Sequence, residues 1–399
     1  MRIGRCLPPA AAPVTFWDIF YGLQGLCRGK SELDRFKNEL REYSGSQYCF
    51  LVSSGKAALT VILQALKEIS PDRDEVLIPA FCCYSVPSAI IRAGLKVRLC
   101  DVAPGSFDFD YHQLPAIIAK RKERLLCVVP VHLFGIPADI GRIRGMIDDG
   151  NIFIVEDAAQ AMGGEYRGKK LGTCCDVGFF SLGRGKALTT IEGGIILTQR
   201  ADIAERIESA VSGLRDYALL DLVKLAFYAL ALSVLLKPAL FWLPKGLPFL
   251  RLGDTIYDTN FKMRKMSALQ AGFARGWEKK LRRLKRIRSE NVRGLLIRIG
   301  IRPPWAENDV LPDLLRFPLI INSTGRKETI LRMSEKAGMG IACSYPDSID
   351  RIPELKSYFD SHHFPAAKEN ASKLVTLPVH PYLTVKDMDK IADLLLHAE

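Results

Sequence analysis

Residues 153–160, FIVEDAAQ, and residues 178–190, GFFSLGRGKALTT, are the two stretches that decide the fold and the chemistry of this chain. The first is an apolar, β-branched run that ends in Asp157, as expected for a buried strand that carries a carboxylate to the edge of a sheet. The second resembles another strand, whose turn presents the hydroxyl of Ser181 and then the amine of Lys186.

An acid, a hydroxyl and a lysine in this order suit a pyridoxal phosphate (PLP) site. PLP is held by a lysine as a Schiff base, and its ring withdraws electrons only while a nearby carboxylate keeps the ring nitrogen protonated. Lys186 and Asp157 have the side chains for these two roles. The phosphate needs hydroxyls and the amides of a helix N-terminus, which Ser181 and residues 52–66, VSSGKAALTVILQAL, are able to supply.

Each of these residues also has a simpler explanation when it is taken alone. A lysine in a glycine-rich turn is usually a solvated surface residue, and an aspartate after an apolar strand is usually a cap or a turn former. SSGKAAL lacks the GxxxxGK[ST] spacing of a P-loop. The order and spacing of the segments therefore carry the prediction.

From about Phe36 to the C-terminus the chain resembles the DegT family of nucleotide-sugar aminotransferases, which have the aspartate-aminotransferase type of fold. Four separated segments carry this resemblance, in the family's order: residues 128–143, 153–198, 266–281 and 377–391. A match of four ordered segments is more specific than any single motif.

The resemblance implies roles for individual residues. Lys186 matches the lysine that binds the cofactor and acts as the general base. Asp157 matches the partner of the pyridine nitrogen, Gln160 the residue near the ring hydroxyl, and Ser181 a phosphate ligand. The turn whose amides hold the phosphate corresponds to Ser54, Gly55 and Lys56.

The chain departs from the family pattern in three places. Lys56 replaces a threonine, and as a point charge it still suits a phosphate. Cys83 stands where many members stack an aromatic ring on the cofactor, so Tyr84 or Phe81 would have to serve instead. Met263 replaces the asparagine that the family supplies across its dimer, and Asn260 lies three residues earlier.

Strand-like apolar runs alternate with candidate helices along the first two hundred residues. These runs are EVLIPAF, KVRLCDV, LLCVVPVH, IFIVED, VGFFSL and GGIILT. Apolar strands separated by helices predict an α/β fold with a mainly parallel sheet, covered on both faces and carrying its site at the carboxyl edge. With the resemblance, this indicates the PLP-dependent transferase type I fold, with a seven-stranded type of sheet.

We expect three parts: an N-terminal segment over 1–35, a large cofactor-binding domain over 36–265, and a smaller C-terminal α+β domain over 266–399. In the last part a long basic helix is predicted to begin near Ser267. The closing run LTVKDMDKIADLLLHAE has the pattern of an amphipathic helix.

An apolar insertion lies at about 217–252 and is interrupted by charges and prolines. It is too short and too broken for a transmembrane span. Two interpretations stay open: a helical hairpin buried at a dimer interface, or a hairpin resting in a membrane interface with Trp242 at headgroup level. The basic run at 277–302 favours the membrane somewhat, and it lacks the motifs of a nucleic-acid-binding protein.

Composition agrees with an enzyme of this size. The chain has 399 residues, a net charge of +12 and 48% hydrophobic residues, which excludes a disordered protein. Its ten cysteines show no CxxC or cysteine–histidine spacing, so we expect no metal site and a reducing compartment. Residues 3–31 lack the apolar core of a signal peptide. The expected location is the cytoplasm, with peripheral contact at the inner face of the membrane as an option.

The expected function is a homodimeric PLP-dependent aminotransferase that converts a nucleotide-linked keto sugar to an amino sugar for polysaccharide or glycoconjugate biosynthesis. The resemblance implies glutamate as the amino donor. One alternative is an enzyme of the same fold that acts on a lipid-linked or cyclitol ketone at the membrane surface, and another is a non-catalytic regulatory relative. Glu192 and His132 lie near the site in sequence and have either a substrate-binding or a structural role.

Overall fold

The fold is known from a computed structural model, which describes residues 3–148, 150–247, 255–306, 310–359 and 363–398. A seven-stranded sheet forms the centre of the chain. The described strands, which include those of two smaller two-stranded sheets, are β1 (Tyr48–Val52), β2 (Glu75–Pro79), β3 (Lys96–Cys100), β4 (Leu125–Val128), β5 (Phe153–Asp157), β6 (Glu165–Tyr166), β7 (Lys169–Lys170), β8 (Val177–Ser181), β9 (Gly194–Thr198), β10 (Phe317–Ile320) and β11 (Leu374–Leu377).

The order of strands in the large sheet is β1-β9-β8-β5-β4-β2-β3. All neighbouring strands pair in parallel except at β9, which is antiparallel to both β8 and β1. Most strand residues are buried because helices cover both faces, which is why the strands are continuously apolar in sequence. The predicted mainly parallel seven-stranded sheet is confirmed, and β1 is the strand that sequence reasoning missed.

Helices connect and cover these strands. They are α1 (Phe16–Arg28), α2 (Lys30–Ser44), α3 (Gly55–Ile69), α4 (Ser85–Arg92), α5 (Leu114–Arg121), α6 (Ile140–Met146), α7 (Ala201–Ser212), α8 (Leu219–Leu235), α9 (Trp242–Lys245), α10 (Ala268–Phe273), α11 (Trp277–Ile299), α12 (Thr324–Ala337), α13 (Pro365–Lys373) and α14 (Val385–His397). Side chains cap several of them: Ser54 accepts a hydrogen bond from the Ala57 amide at the start of α3, and Thr384 forms a capping box at α14.

The C-terminal part has its own two-stranded sheet, β10 paired antiparallel with β11. A second core of buried residues lies around this sheet, between α11 and α14. Several later residues belong instead to the core of the large sheet: Tyr345, Ile349, Ile352, Leu355, Phe359, Ala367, Ala371 and Leu374. The predicted single helix beginning near Ser267 was wrong, because Gly276 has φ +67° and separates α10 from α11.

The N-terminal part packs tightly on α10. A Cβ atom at Gly25 would lie 2.4 Å from the Ala268 carbonyl oxygen, so only glycine permits this approach of α1 to α10. The predicted boundary at residue 35 falls inside α2. The division into three domains stays a prediction.

The apolar insertion forms α8 and the short α9, and its residues 248–252 lie outside the described residues. Among the helices of the described ranges, none has the length and apolar character needed to cross a bilayer.

Candidate active site

A cavity of about 700 Å³ opens at the carboxyl ends of β1, β5 and β8. Parallel strands place their carboxyl ends at one edge of a sheet, so residues far apart in sequence meet there. Seven of the eight predicted site residues line this cavity: Ser54, Gly55, Lys56, Asp157, Gln160, Ser181 and Lys186. Tyr84 is not among the lining residues.

The N-terminus of α3 forms one wall and fits an anion. Its first amides, at Gly55 and Lys56, have no partner within the helix, and the helix dipole favours negative charge at this end. A Cβ atom at Gly55 would come 2.8 Å from Ser181 Cβ and 3.2 Å from Ser181 Oγ. Glycine is therefore required at this position for the Ser181 hydroxyl to sit beside the helix amides.

Lys186 lies in the turn after β8 and lines the cavity. Burial lowers the pKa of this amine, and the charge of Arg316 lowers it further, whereas Cys83 and Asp157 act in the opposite direction. A lowered pKa increases the neutral fraction of the amine, which is the form that attacks a carbonyl carbon.

Asp157 ends β5 and is only 5% exposed. Burial raises the pKa of this carboxyl, while a hydrogen bond from the Ala159 amide to Oδ1 (2.9 Å) and the charge of Lys186 oppose the rise. Because burial still raises its pKa, the charged form of this carboxylate would be stabilised by a cation placed beside it inside the cavity. A protonated pyridine nitrogen is such a cation.

Gln160 is held in place from two sides. Its Oε1 accepts a hydrogen bond from the Phe134 amide (3.2 Å), and its Nε2 donates to the Tyr345 hydroxyl (2.8 Å). The ring of Tyr345 packs against Phe134 and Phe81, and burial raises the pKa of its hydroxyl. Sequence reasoning missed Tyr345, since it is 185 residues from Gln160 and has no local signal.

The structure does not provide the predicted aromatic ring for stacking on a cofactor. Cys83 itself lines the cavity. The Tyr84 hydroxyl instead donates to the Asp347 carbonyl (3.0 Å), and Phe81 is fully buried between Phe107 and Tyr345. Neither ring is among the residues that line the cavity, because both rings pack in the core, and a stacking role for Tyr84 or Phe81 stays a prediction.

Lys56 lines the cavity but already has partners. Its Nζ lies 3.2 Å from Asp258 Oδ2 and 4.5 Å from the centre of the Phe261 ring. Asp258 holds the charge of Lys56 at the cavity wall. The positive charge there is therefore partly neutralised within the chain.

The apolar insertion contributes a wall that sequence reasoning did not foresee. Asp221, Lys224, Leu225 and Tyr228 of α8 line the cavity, as does Tyr217 just before the helix. The Tyr217 hydroxyl donates to Glu192 Oε1 at 2.5 Å, which places Glu192 in the cavity as well.

His132 is not among the residues that line the cavity, and its hydrogen bonds indicate a structural role. Its Nδ1 accepts from the Ala138 amide (3.0 Å), so its Nε2 donates to Glu156 Oε1 (2.8 Å). The same Glu156 carboxylate accepts from the amides of Gly172 and Cys174. Both side chains are fully buried, and together they fix two loops beneath the site.

The residues before α10 show where the family's cross-dimer asparagine position falls. Met263 packs against the core of the large sheet, whereas Asn260 is exposed and its amide donates to Asp258 Oδ1. Within the described ranges, no group of three or more His, Cys, Asp or Glu side chains is arranged to hold a metal ion.

Together these residues fit a phosphorylated pyridine cofactor. The cradle at Gly55 and Ser181 is open to an anion, Asp157 favours a ring cation, and Lys186 offers an amine to an aldehyde. The chemistry of this donor set agrees with PLP at each of its three polar groups.

Comparison with known proteins gives the same assignment. Residues 24–222 match the model of the DegT/DnrJ/EryC1/StrS aminotransferase family. A relative from Streptomyces lividus, L-glutamine:2-deoxy-scyllo-inosose aminotransferase, is 32% identical over 47% of this chain and 43% of its own length. GDP-perosamine synthase from Caulobacter vibrioides is 33% identical over 43% of this chain and 45% of its own length. The chain thus spans less than half the length of these curated relatives.

The fold is shared over nearly the whole chain with a solved structure, the PLP-form of the putative sugar aminotransferase Spr1654 from Streptococcus pneumoniae. The TM-score is 0.75 at 20% identity, covering 98% of this chain and 97% of that one. The fold, the cavity and the sequence match agree, and the chain belongs to the DegT/DnrJ/EryC1/StrS aminotransferase family.

Proposed function

We propose that this protein is a PLP-dependent aminotransferase that converts a nucleotide-linked keto sugar to an amino sugar. Glutamate is the proposed amino donor, and the product would enter polysaccharide or glycoconjugate biosynthesis. The observation that carries the proposal is the pairing of Lys186 and Asp157 in one cavity, where burial shifts the two pKa values towards each other. Family membership supports the reaction class.

Seven residues of the cavity would hold the cofactor. Gly55, Ser54 and Ser181 would bind its phosphate, with Lys56 nearby, while Asp157 and Gln160 would contact its ring and Lys186 its aldehyde carbon. When bound, PLP supplies an electron sink that lowers the barrier for breaking a bond at the amino-bearing carbon. The remaining chemistry belongs to the side chains.

Lys186 would move the proton in this reaction. Its amine has a lowered pKa and therefore loses a proton more readily than an exposed lysine, which suits Nζ to taking a proton and returning it. Asp157 stays close enough to influence this amine, and Gln160 is fixed by Tyr345 so that the ring side of the cavity keeps its shape.

Basic side chains around the cavity suit an anionic substrate. Arg184, Lys224 and Lys262 are exposed and line it, which fits the diphosphate of a nucleotide-linked sugar. Arg264 also lines the cavity, and both Arg264 and Lys262 are paired with Asp221. This distribution of charge supports substrate binding near α8.

A second candidate substrate is a lipid-linked keto sugar. It is favoured by α8, whose Leu225 and Tyr228 add apolar surface to the cavity wall. A cyclitol ketone has no such feature in its favour beyond the name of the Streptomyces lividus relative. Because Lys186 and Asp157 are both in place, a non-catalytic role is disfavoured.

We infer that the protein works as a homodimer, as the family resemblance implies. The exposed Asn260 lies three residues before the position of the family's cross-dimer asparagine, and its side-chain amide would be the group offered to a partner subunit. All ten cysteines are free, which supports a reducing compartment such as the cytoplasm.

The test is an amination assay with the wild type and Lys186→Ala. A panel of nucleotide-linked keto sugars, a lipid-linked keto sugar and a keto-cyclitol would be offered with glutamate or glutamine as donor. We expect amination of at least one nucleotide-linked sugar by the wild type and none by Lys186→Ala, with Lys279→Ala on the basic helix as the matched control. Amination of the lipid-linked substrate alone would favour the second candidate, and no amination of any ketone would reject the proposal.

A further inference from the structure

Two helices expose large apolar side chains beside the active-site cavity. Phe16, Trp17 and Phe20 of α1 and Leu220, Val223 and Phe227 of α8 are each between 52% and 75% exposed. We call these six residues the α1–α8 platform. Contiguous exposed apolar patches are rare on monomeric proteins and mark surfaces that contact a partner or a membrane.

Helix α8 is largely apolar, yet seven of its 17 residues are exposed. Only three of its residues are polar, and only Leu225, Ala229 and Ser233 are buried. A helix of this composition is normally enclosed in a protein core or in lipid. The described residues of the chain leave the outer face of α8 uncovered.

The platform has a rigid base. Helix α1 packs closely on α10 and also touches α8. Leu225 and Ala229 of α8 belong to the same buried cluster as Leu269 and Phe273 of α10, and Ile19 of α1 packs against it. Because both helices rest on one core and contact each other, their positions relative to each other are fixed.

The charges of the platform suit an anionic partner. Both helices lie wholly within the described residues, and each contains one acidic residue. Asp18 of α1 is buried and bonded to Lys280, and Asp221 of α8 is paired with Arg264. The exposed charges are basic: Lys224 on α8 and Arg28 at the end of α1.

The position of Lys224 favours a bilayer over a second copy of the chain as the partner of the platform. It is exposed on the same side of α8 as Leu220 and Phe227, four residues after the first and three before the second. Charged residues are depleted at the centre of protein interfaces, whereas a lysine among apolar residues is common at a lipid surface, where its amine reaches the headgroups. Trp17 also has an amphipathic ring, and tryptophan is enriched at the level of the lipid headgroups.

We propose that the α1–α8 platform docks the protein on a bilayer surface that contains anionic lipids. The helices would lie in the interface with their apolar side chains below the headgroups. A helix of 17 residues spans about 25 Å, less than the hydrocarbon core of about 30 Å, which agrees with the absence of a spanning helix from the described ranges.

Docking would place the active site at the membrane. Three platform residues lie on α8. The same helix carries residues that line the cavity around Lys186, namely Asp221, Lys224, Leu225 and Tyr228. The cavity would then open next to the headgroup layer. This consequence rests on the proposed function, whereas the docking itself does not.

The test is flotation of the purified full chain with vesicles of phosphatidylcholine, with or without 30% phosphatidylglycerol. We expect the wild type to float with the anionic vesicles and less with neutral ones or in high salt. The uncharged variant V223Q/F227Q, and separately W17Q/F20Q, should bind at least tenfold more weakly. The matched control is I297Q/V310Q, which changes two residues that are 80% and 85% exposed outside the platform and should bind like the wild type.

Two results would overturn the docking proposal: the wild type fails to float, or both platform variants float like the wild type. If the wild type fails to float and light scattering shows that V223Q/F227Q turns a dimer into a monomer, the platform contacts a second copy of the chain instead. Circular dichroism checks that each variant is folded. PLP uptake, measured on the same samples by visible absorbance, reports the proposed function separately, so one can fail while the other stands.

Discussion

Gly55 and Ser181 approach so closely that a methyl group on Gly55 would lie 2.8 Å from Ser181 Cβ. The two residues come from different elements, the N-terminus of α3 and the end of β8. Their contact brings a hydroxyl next to free helix amides and so creates the anion cradle. The rest of the site depends on this cradle, because it sets the position of a bound phosphate relative to Lys186.

The first prediction concerns this contact. Gly55→Ala forces Ser181 to move, which should cost about 1–3 kcal/mol in unfolding free energy and weaken PLP binding at least tenfold. Titration with PLP followed by visible absorbance measures the second effect. The control is Gly145→Ala, where an added Cβ meets nothing within 4 Å. Equal PLP affinity of Gly55→Ala and the wild type would contradict the role of the cradle.

The second prediction concerns Tyr345, which holds Gln160. Tyr345→Phe removes the oxygen that accepts from Gln160 Nε2, so the unfolding free energy should fall by about 1 kcal/mol. PLP affinity should fall severalfold, since Gln160 keeps only its bond from Phe134. Urea denaturation and PLP titration check the two effects. Tyr358→Phe, at a residue that is 63% exposed, should change neither quantity.

The third prediction separates a structural from a functional role for His132. His132→Phe leaves the Ala138 amide without its acceptor and removes a donor from the buried Glu156, which should cost about 2–4 kcal/mol. The visible absorbance of bound PLP should be retained by the folded variant. The exposed His112→Phe serves as the comparison. A variant of normal stability that loses the PLP band would show that His132 contacts the cofactor.

The fourth prediction is a pH dependence of stability from His380. Burial lowers the pKa of His380 to about 4, while its bond to the Pro8 carbonyl opposes this and Arg316 adds to it. Between pH 6.5 and 4 the unfolded chain therefore binds a proton that the folded chain does not, so stability falls as the pH falls.

The difference of about 2.5 pKa units corresponds to about 3 kcal/mol. Unfolding free energies of the wild type and His380→Gln, measured at several pH values, isolate this contribution from that of the carboxylates. We expect a smaller loss between pH 6.5 and 4 in His380→Gln. Parallel curves for the two proteins would rule out His380 as the source.

The sheet was predictable because its strands are buried on both faces and so form continuous apolar runs. Six of its seven strands follow from this pattern, including the two that carry Asp157 and Ser181. The break between α10 and α11 was not predictable, since it depends on one glycine with positive φ in a run that otherwise favours a helix.

The site was predictable only where its residues are local to a strand end. The predicted residues that the structure brings together lie at a strand end or just after one. Asp157 and Ser181 end their strands, and Gly55 and Lys186 come shortly after a strand. Tyr345 and the cavity face of α8 depend on contacts between distant parts of the chain, which no local pattern reports. Tyr84 is not among the lining residues, and sequence position alone does not say which way its side chain points.

The proposed chemistry depends on the binding of PLP to Lys186 in this cavity. The most direct measurement is to incubate the purified protein with PLP, reduce it with borohydride and map the modified peptide by mass spectrometry. We expect one PLP per chain, fixed to Lys186, and severalfold less PLP on Gly55→Ala at a concentration well below saturation. Attachment to a different lysine, or no attachment to the wild type, would contradict this expectation.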